Sequence, residues 1–193
     1  MHVLHIVAVE ASSAAEATAT AEELAPDWSD WSTVGGRWDG VLNGSNTLQV
    51  SADPTRARTA LANMAAAADA AWREHCTALT GSLDENWTAP AAVFGLPVTD
   101  PDAYRARLQD SVAETGAEWS AMLASASLAD VPPFSMASWH ARKVADLASR
   151  CWCSDSAFYD AINWEADPYR LMAAIDEETV SDTVWLVAVD LHY

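Results

Sequence analysis

Positive charge is what this chain has least of. Ten Lys plus Arg stand against 28 Asp plus Glu, giving a formal net charge of −18, and Lys143 is the sole lysine. A field of that sign repels phosphate backbones and anionic membrane surfaces, so direct nucleic-acid binding is not expected. The acidity and the preference for Arg fit a GC-rich genome or a high-salt proteome as well as a functional acidic surface. Cysteine is scarce too. Cys76, Cys151 and Cys153 make an odd number, and only Trp152 separates the last two, so no disulfide framework suggests itself and a reducing compartment is the simpler assumption. Residues Met1 to Glu10 lack the positive n-region of a leader, and their apolar run is too short to cross a bilayer. The expectation is a cytoplasmic protein with no membrane partner. Also missing are a repeat of about 20 to 50 residues, a Walker loop or dinucleotide fingerprint, and a nucleophile elbow. These absences count against solenoids and against the common nucleotide-binding and triad-hydrolase motifs, and no reaction is fixed by what remains.

What is present is globular. The 193 residues are 51% apolar and 20% charged, enough for one well-buried domain. Val3 to Val9 and Val184 to Leu191 are short, near-continuous apolar runs rich in β-branched residues, the pattern of strands covered on both faces. They are expected side by side in one sheet. Ser13 followed by Glu16 forms a capping box before an Ala/Glu-rich helix reaching about Leu24. Asn43-Gly44, between apolar residues, predicts a hairpin. Asp53-Pro54 starts a long helix over Thr55 to Leu79, with Leu61, Met64, Ala68, Ala71, Trp72 and Leu79 as its packed stripe. Asp100-Pro101 repeats the start signal for a helix over Ala103 to Leu123. Ser138 to Ser149 reads as a shorter helix, Cys151 to Asp160 as a strand or strand-edge loop, and Asp167-Pro168 opens a last helix through about Ile175. The fold class predicted is α+β: a single domain over residues 1–193. Its small mixed or antiparallel sheet contains both terminal strands, with a ferredoxin-like core as one form, and residues 53–149 are a mainly helical insertion.

Three groups of residues invite a chemical reading. The first is Asp27 to Gly40, where Trp28, Trp31 and Trp38 flank the Gly35-Gly36 turn and Arg37. Paired glycines turn the backbone sharply and expose N–H groups beside a guanidinium, which suits an anion, while the tryptophans suit a planar ligand. The plain alternative is packing, with Arg37 stacked on a tryptophan or paired with Asp30 or Asp39. The second is the C-terminal Asp190-Leu191-His192-Tyr193, where Asp190 and His192 share a face of a strand and could do acid–base work, or could be a solvated strand end. The third is Asp155, Tyr159 and Asp160. Cys151-x-Cys153 with His75-Cys76 or His140 has zinc-ligand chemistry but poor spacing, and two cysteines on one strand face more often pack in a core, so neither a metal nor any other cofactor is expected.

Val34-Gly35-Gly36-Arg37-Trp38, together with Asp155-Ser156-Ala157-Phe158-Tyr159-Asp160 and the ending Val189-Asp190-Leu191-His192-Tyr193, resembles a group of uncharacterised tailed-virus (phage) accessory proteins. They carry an aromatic/Gly-Gly-Arg-Trp segment near the N-terminus and a C-terminal Val-Asp-x-His strand. The resemblance covers the two ends and leaves the alanine-rich middle unmatched. It implies a viral or prophage origin in a GC-rich or halophilic host, hence the host cytoplasm, and a dispensable accessory role. It implies no activity, but marks Arg37, Trp38, Asp190 and His192 as site residues.

Two functions follow. In the first, the chain is a non-catalytic accessory protein that binds a host or viral protein, in its sharpest form an acidic inhibitor of a host defence or DNA-processing factor. In the second, it is a small anion-binding or hydrolytic enzyme using the Gly-Gly-Arg-Trp turn and Asp190 with His192. The candidate residues for ligand or partner are Trp31, Gly35, Gly36, Arg37, Trp38, Tyr159, Asp190 and His192. The second reading requires the turn and His192 to meet at one end of the sheet.

Overall fold

The computed structural model describes residues 1–82, 139, 140, 143, 146, 147 and 149–193, and of residues 76–82 only the backbone. The chain forms two compact units, Met1–Asp69 with Arg150–Tyr193, and Ala70–Ser149. The expected helix over Ala103 to Leu123 lies outside the described residues.

In the first unit, the two apolar runs become β1 (His2–Glu10) and β5 (Val184–His192), paired antiparallel from His2 opposite His192 to Glu10 opposite Val184. β2 (Trp31–Val34) and β3 (Thr47–Gln49) follow one another along the other edge of β5, both antiparallel to it. β4 (Phe158–Asp160) runs parallel to β1. The described residues therefore form an α+β fold on an open, mixed, five-stranded sheet containing both terminal strands.

Neither β1 nor β5 alternates in polarity because both faces of the pair are covered. On one face Ile6, Ala8, Leu186 and Ala188 pack with Phe158, Val50, Leu61, Leu171 and Ile175. On the other, Val7, Val9, Val187, Val189 and Leu191 meet Ala17, Ala21 and Tyr159. Each fully buried Leu, Ile, Val or Phe contributes roughly 1.5–3 kcal/mol before entropy is counted.

The caps set the helix starts. α1 (Ala14–Glu23) begins at Ser13, whose hydroxyl accepts the Glu16 N–H, while the Glu16 carboxylate accepts the N–H of Ser12 rather than of the cap residue. α2 (Pro54–Ser82) begins after Asp53, which accepts the Arg56 N–H at 3.1 Å. Leu61 and Trp72 of its predicted stripe are buried. α3 (Pro168–Asp176) is capped by Asp167. In the second unit, residues 139, 140, 143, 146 and 147 are helical, as expected for Ser138 to Ser149. No described helix is long and apolar enough to cross a membrane.

One local expectation needs correction, and another resolves into a loop leading to an edge strand. Asn43 and Gly44 both have positive φ, and the Leu42 N–H reaches the Ser45 carbonyl at 3.0 Å, so the tight turn forms. No strand leads directly into it, however, and β3 spends its hydrogen bonds on β5 instead of closing a hairpin. Of Cys151 to Asp160 only Phe158–Asp160 is strand; Ala157, with φ 58°, breaks the extended backbone just before it.

Candidate functional site

Antiparallel pairing places directly opposite residues on one face. At one end of the sheet this aligns His2, His192 and Trp31 in one row, and Leu4, Asp190 and Thr33 in the next. The centre of the group is Asp190, 1% exposed. One carboxylate oxygen lies 3.0 Å from His2 Nδ1, and the other accepts the Arg37 backbone N–H at 3.0 Å. A buried carboxylate is costly unless such bonds replace its water. An ionised carboxylate only accepts, so this bond assigns a proton to His2 Nδ1 and turns Nε2 away from the carboxylate. No described group hydrogen-bonds that Nε2.

The glycine turn exists to make this approach. Gly35 and Gly36 have φ 78° and 56°, and a Cβ on Gly36 would stand 2.5 Å from an Asp190 carboxylate oxygen. Ala188 of β5 pins both sides of the loop. Its carbonyl accepts the Gly35 N–H at 2.9 Å, and its N–H donates to Asn46 at 2.8 Å. The Asn46 side chain accepts from Gly40 and donates to Asp39, each at 2.7 Å. The turn therefore does read an anion through its backbone, but that anion is the chain's own Asp190. Arg37 and Trp38 face outward and are exposed. Arg37 does not pair with Asp30 or Asp39, and its guanidinium has no hydrogen bond or ion pair with described residues.

His192 is held separately. Its Nδ1 lies 3.3 Å from an Asp30 carboxylate oxygen, its Nε2 is 3.5 Å from the Met1 nitrogen, and Trp31 stacks on it with centroids 6.2 Å apart. The His2 ring stands edge-on to His192 at 5.0 Å and to Trp31 at 5.6 Å. The expected Asp190 with His192 pair thus becomes two pairs, Asp190 with His2 and Asp30 with His192. On one strand the i and i+2 side chains lie about 7 Å apart along the chain, so each histidine finds its carboxylate on a neighbouring segment.

Tyr159 lies elsewhere. It is on the opposite face of the sheet, buried and stacked on Trp152 at 4.2 Å with the rings 7° from parallel, and burial pushes its phenol up from the ordinary value. Asp160 is spent on its own turn, accepting the N–H groups of Ile162 and Asn163. The tryptophan group is divided as well. Trp28 belongs to this second face, donating to the Trp152 carbonyl at 2.8 Å and lying beside His5. His5 is fully buried, accepts the Trp152 indole N–H on Nδ1 at 3.0 Å, and lies 3.3 Å from the Ser154 carbonyl through Nε2. Burial lowers its pKa to about 4.

His2 and Asp30 are therefore the participants that sequence reasoning missed. Setting the two terminal apolar runs antiparallel and counting outward from their centres brings His2 opposite His192, a signal the sequence did contain. Cys151 is exposed and Cys153 buried, and His75 and His140 face each other in the second unit with Nδ1 atoms 3.0 Å apart. Among the described residues no three His, Cys, Asp or Glu side chains are grouped to hold a metal ion. Comparison with protein-family models, curated proteins and solved structures finds no match to this chain, so the functional reading rests on this geometry.

Proposed function

We propose that the chain binds a small anionic ligand at the His2, His192 and Trp31 end of the sheet and carries out acid–base chemistry there. The observation that carries this is the buried Asp190, which fixes His2 through Nδ1 and leaves Nε2 open beside a second imidazole. That is the arrangement of a general base oriented by a carboxylate. Arg37, the cation of the turn with no partner among described residues, supplies charge for the anion in a chain that is otherwise strongly acidic. The acidity favours small ligands over polyanions. Titration with inorganic phosphate, followed by NMR of the imidazole signals, tests the reading. The His2 and His192 signals shift in the native chain and the response weakens in Arg37→Ala. No shift at concentrations well above 1 mM, a Kd equivalent to only about 4 kcal/mol, would overturn it.

A second reading, a viral accessory protein that binds a host or viral protein, has its own observation. Trp164 is 74% exposed and has φ 59°, a conformation that favours glycine, so a bulky side chain is presented there at a cost in strain. Affinity capture from host lysate with the native chain and Trp164→Ala separates the readings: a specific protein lost only in the variant supports the interface, and identical captures count against it.

A further inference from the structure

Resting on that acid–base reading, we infer that the site takes a phosphodiester carrying its own vicinal hydroxyl, a short ribonucleotide linkage, and cleaves it by a two-histidine mechanism. Three features lead there. No described hydroxyl or thiol hydrogen-bonds His2 Nε2, so the nucleophile belongs to the substrate or to water. Two imidazoles stand 5.0 Å apart, each with Nδ1 beside its own carboxylate, Asp190 and Asp30; the Nε2 of His2 is open, and that of His192 lies 3.5 Å from the Met1 nitrogen, a contact the leaving oxygen must displace. Such a pair lets one ring accept a proton while the other delivers one in the same step. Trp31, 44% exposed, and Trp38 offer indole faces on which bases stack without sequence preference, and Arg37 lies between them in sequence.

The step balances within the site. Neutral His2 takes the proton of the 2′-hydroxyl through Nε2, and the oxygen attacks phosphorus. The new O2′–P bond forms as the P–O5′ bond breaks, and protonated His192 gives its Nε2 proton to the departing oxygen. The products are a 2′,3′-cyclic phosphate and a free 5′-hydroxyl. The charged groups facing the two rings are Asp190 on His2, and Asp30 and the Met1 nitrogen on His192. The net charge of −18 keeps long chains away, which is why a dinucleotide or small cyclic ligand fits better than a polymer.

The test incubates the protein with the dinucleoside phosphate UpA and with its 2′-deoxy counterpart, following the cyclic product by chromatography. UpA is cleaved and the deoxy compound is not. His2→Gln and His192→Gln each lower the rate by about 10²- to 10⁴-fold. The native pH–rate profile is bell-shaped, and each variant loses one limb. Thermal melts and phosphate titrations of the same variants show whether they still fold and bind. Phosphate binding without UpA cleavage overturns this inference and leaves the anion site standing, whereas the absence of both removes the reading on which it rests. Equal cleavage of the deoxy compound, or full activity in either folded variant, also overturns it.

Discussion

His2 and His5 stand three residues apart on one strand and on opposite faces of one sheet, and they have opposite fates. His5 has partners at both ring nitrogens, a tryptophan indole and a backbone carbonyl, and no exposure to water. Its environment fixes a neutral ring. His2 has one nitrogen on a buried carboxylate and the other open, and its side chain is partly exposed. The difference teaches which kind of histidine to suspect. A ring with every position satisfied supports the fold, while a ring held at one atom and free at the other is available for chemistry.

The largest test of the contrast is acid. The pKa of His5 falls from 6.5 to about 4 in the folded chain, mainly because burial disfavours the imidazolium. Between those values the unfolded chain binds the extra proton, so stability is fully present above pH 6.5 and is lost as pH falls toward 4. The loss amounts to about 3 kcal/mol. Urea unfolding at neutral pH and near pH 4.5 measures it. In His5→Gln the ring is gone, so the chain is weaker at neutral pH and its pH slope in this window is shallower. An unchanged slope would show that His5 does not decide it.

Next in size is the backbone device that serves His2. Gly36→Ala meets two penalties, a positive φ and a Cβ driven into the Asp190 carboxylate, together costing about 2 to 3 kcal/mol. Gly44→Ala is the control, since Gly44 has φ 79° but nothing within 4 Å of an added Cβ. It should cost only the backbone strain, about 1 kcal/mol. Equal denaturation midpoints for the two variants would mean that the turn does not need its close approach to Asp190.

Much of this architecture was legible in the chain because it is written in local signals. The apolar runs that became β1 and β5, the caps at Ser13, Asp53 and Asp167, and the turn at Asn43-Gly44 each depend on a few neighbouring residues. The site was half legible for the opposite reason. Gly35, Gly36 and Asp190 could be flagged as unusual, but Arg37 and Asp190 are 153 positions apart, and only strand register turns the glycine turn into the cradle of that carboxylate. Tyr159 is placed by its register and not by its polar neighbours. Its Asp155 to Asp160 setting looked polar and functional, yet pairing with Val7 put it on the face where Trp152 and Trp28 pack. His2 went unflagged because a polar residue beside the start of a strand is ordinary until its opposite number is known.

The smallest expected effect carries the most information. His2→Gln removes the imidazole from a partly exposed position and leaves Asp190 with the Arg37 N–H, and glutamine can supply a replacement donor. Stability should therefore move by only about 0.5 kcal/mol, while the phosphate-induced shift of the His192 signal weakens. His5→Gln should behave in the reverse manner, losing stability because the Trp152 indole and Ser154 carbonyl must find new partners, yet leaving that shift unchanged. Melting both variants and titrating each with phosphate forms a crossed pair of measurements. If His2→Gln instead unfolds as readily as His5→Gln, then His2 is a clamp that fixes the start of β1 to Asp190, and the division between a supporting and a working histidine on this strand fails.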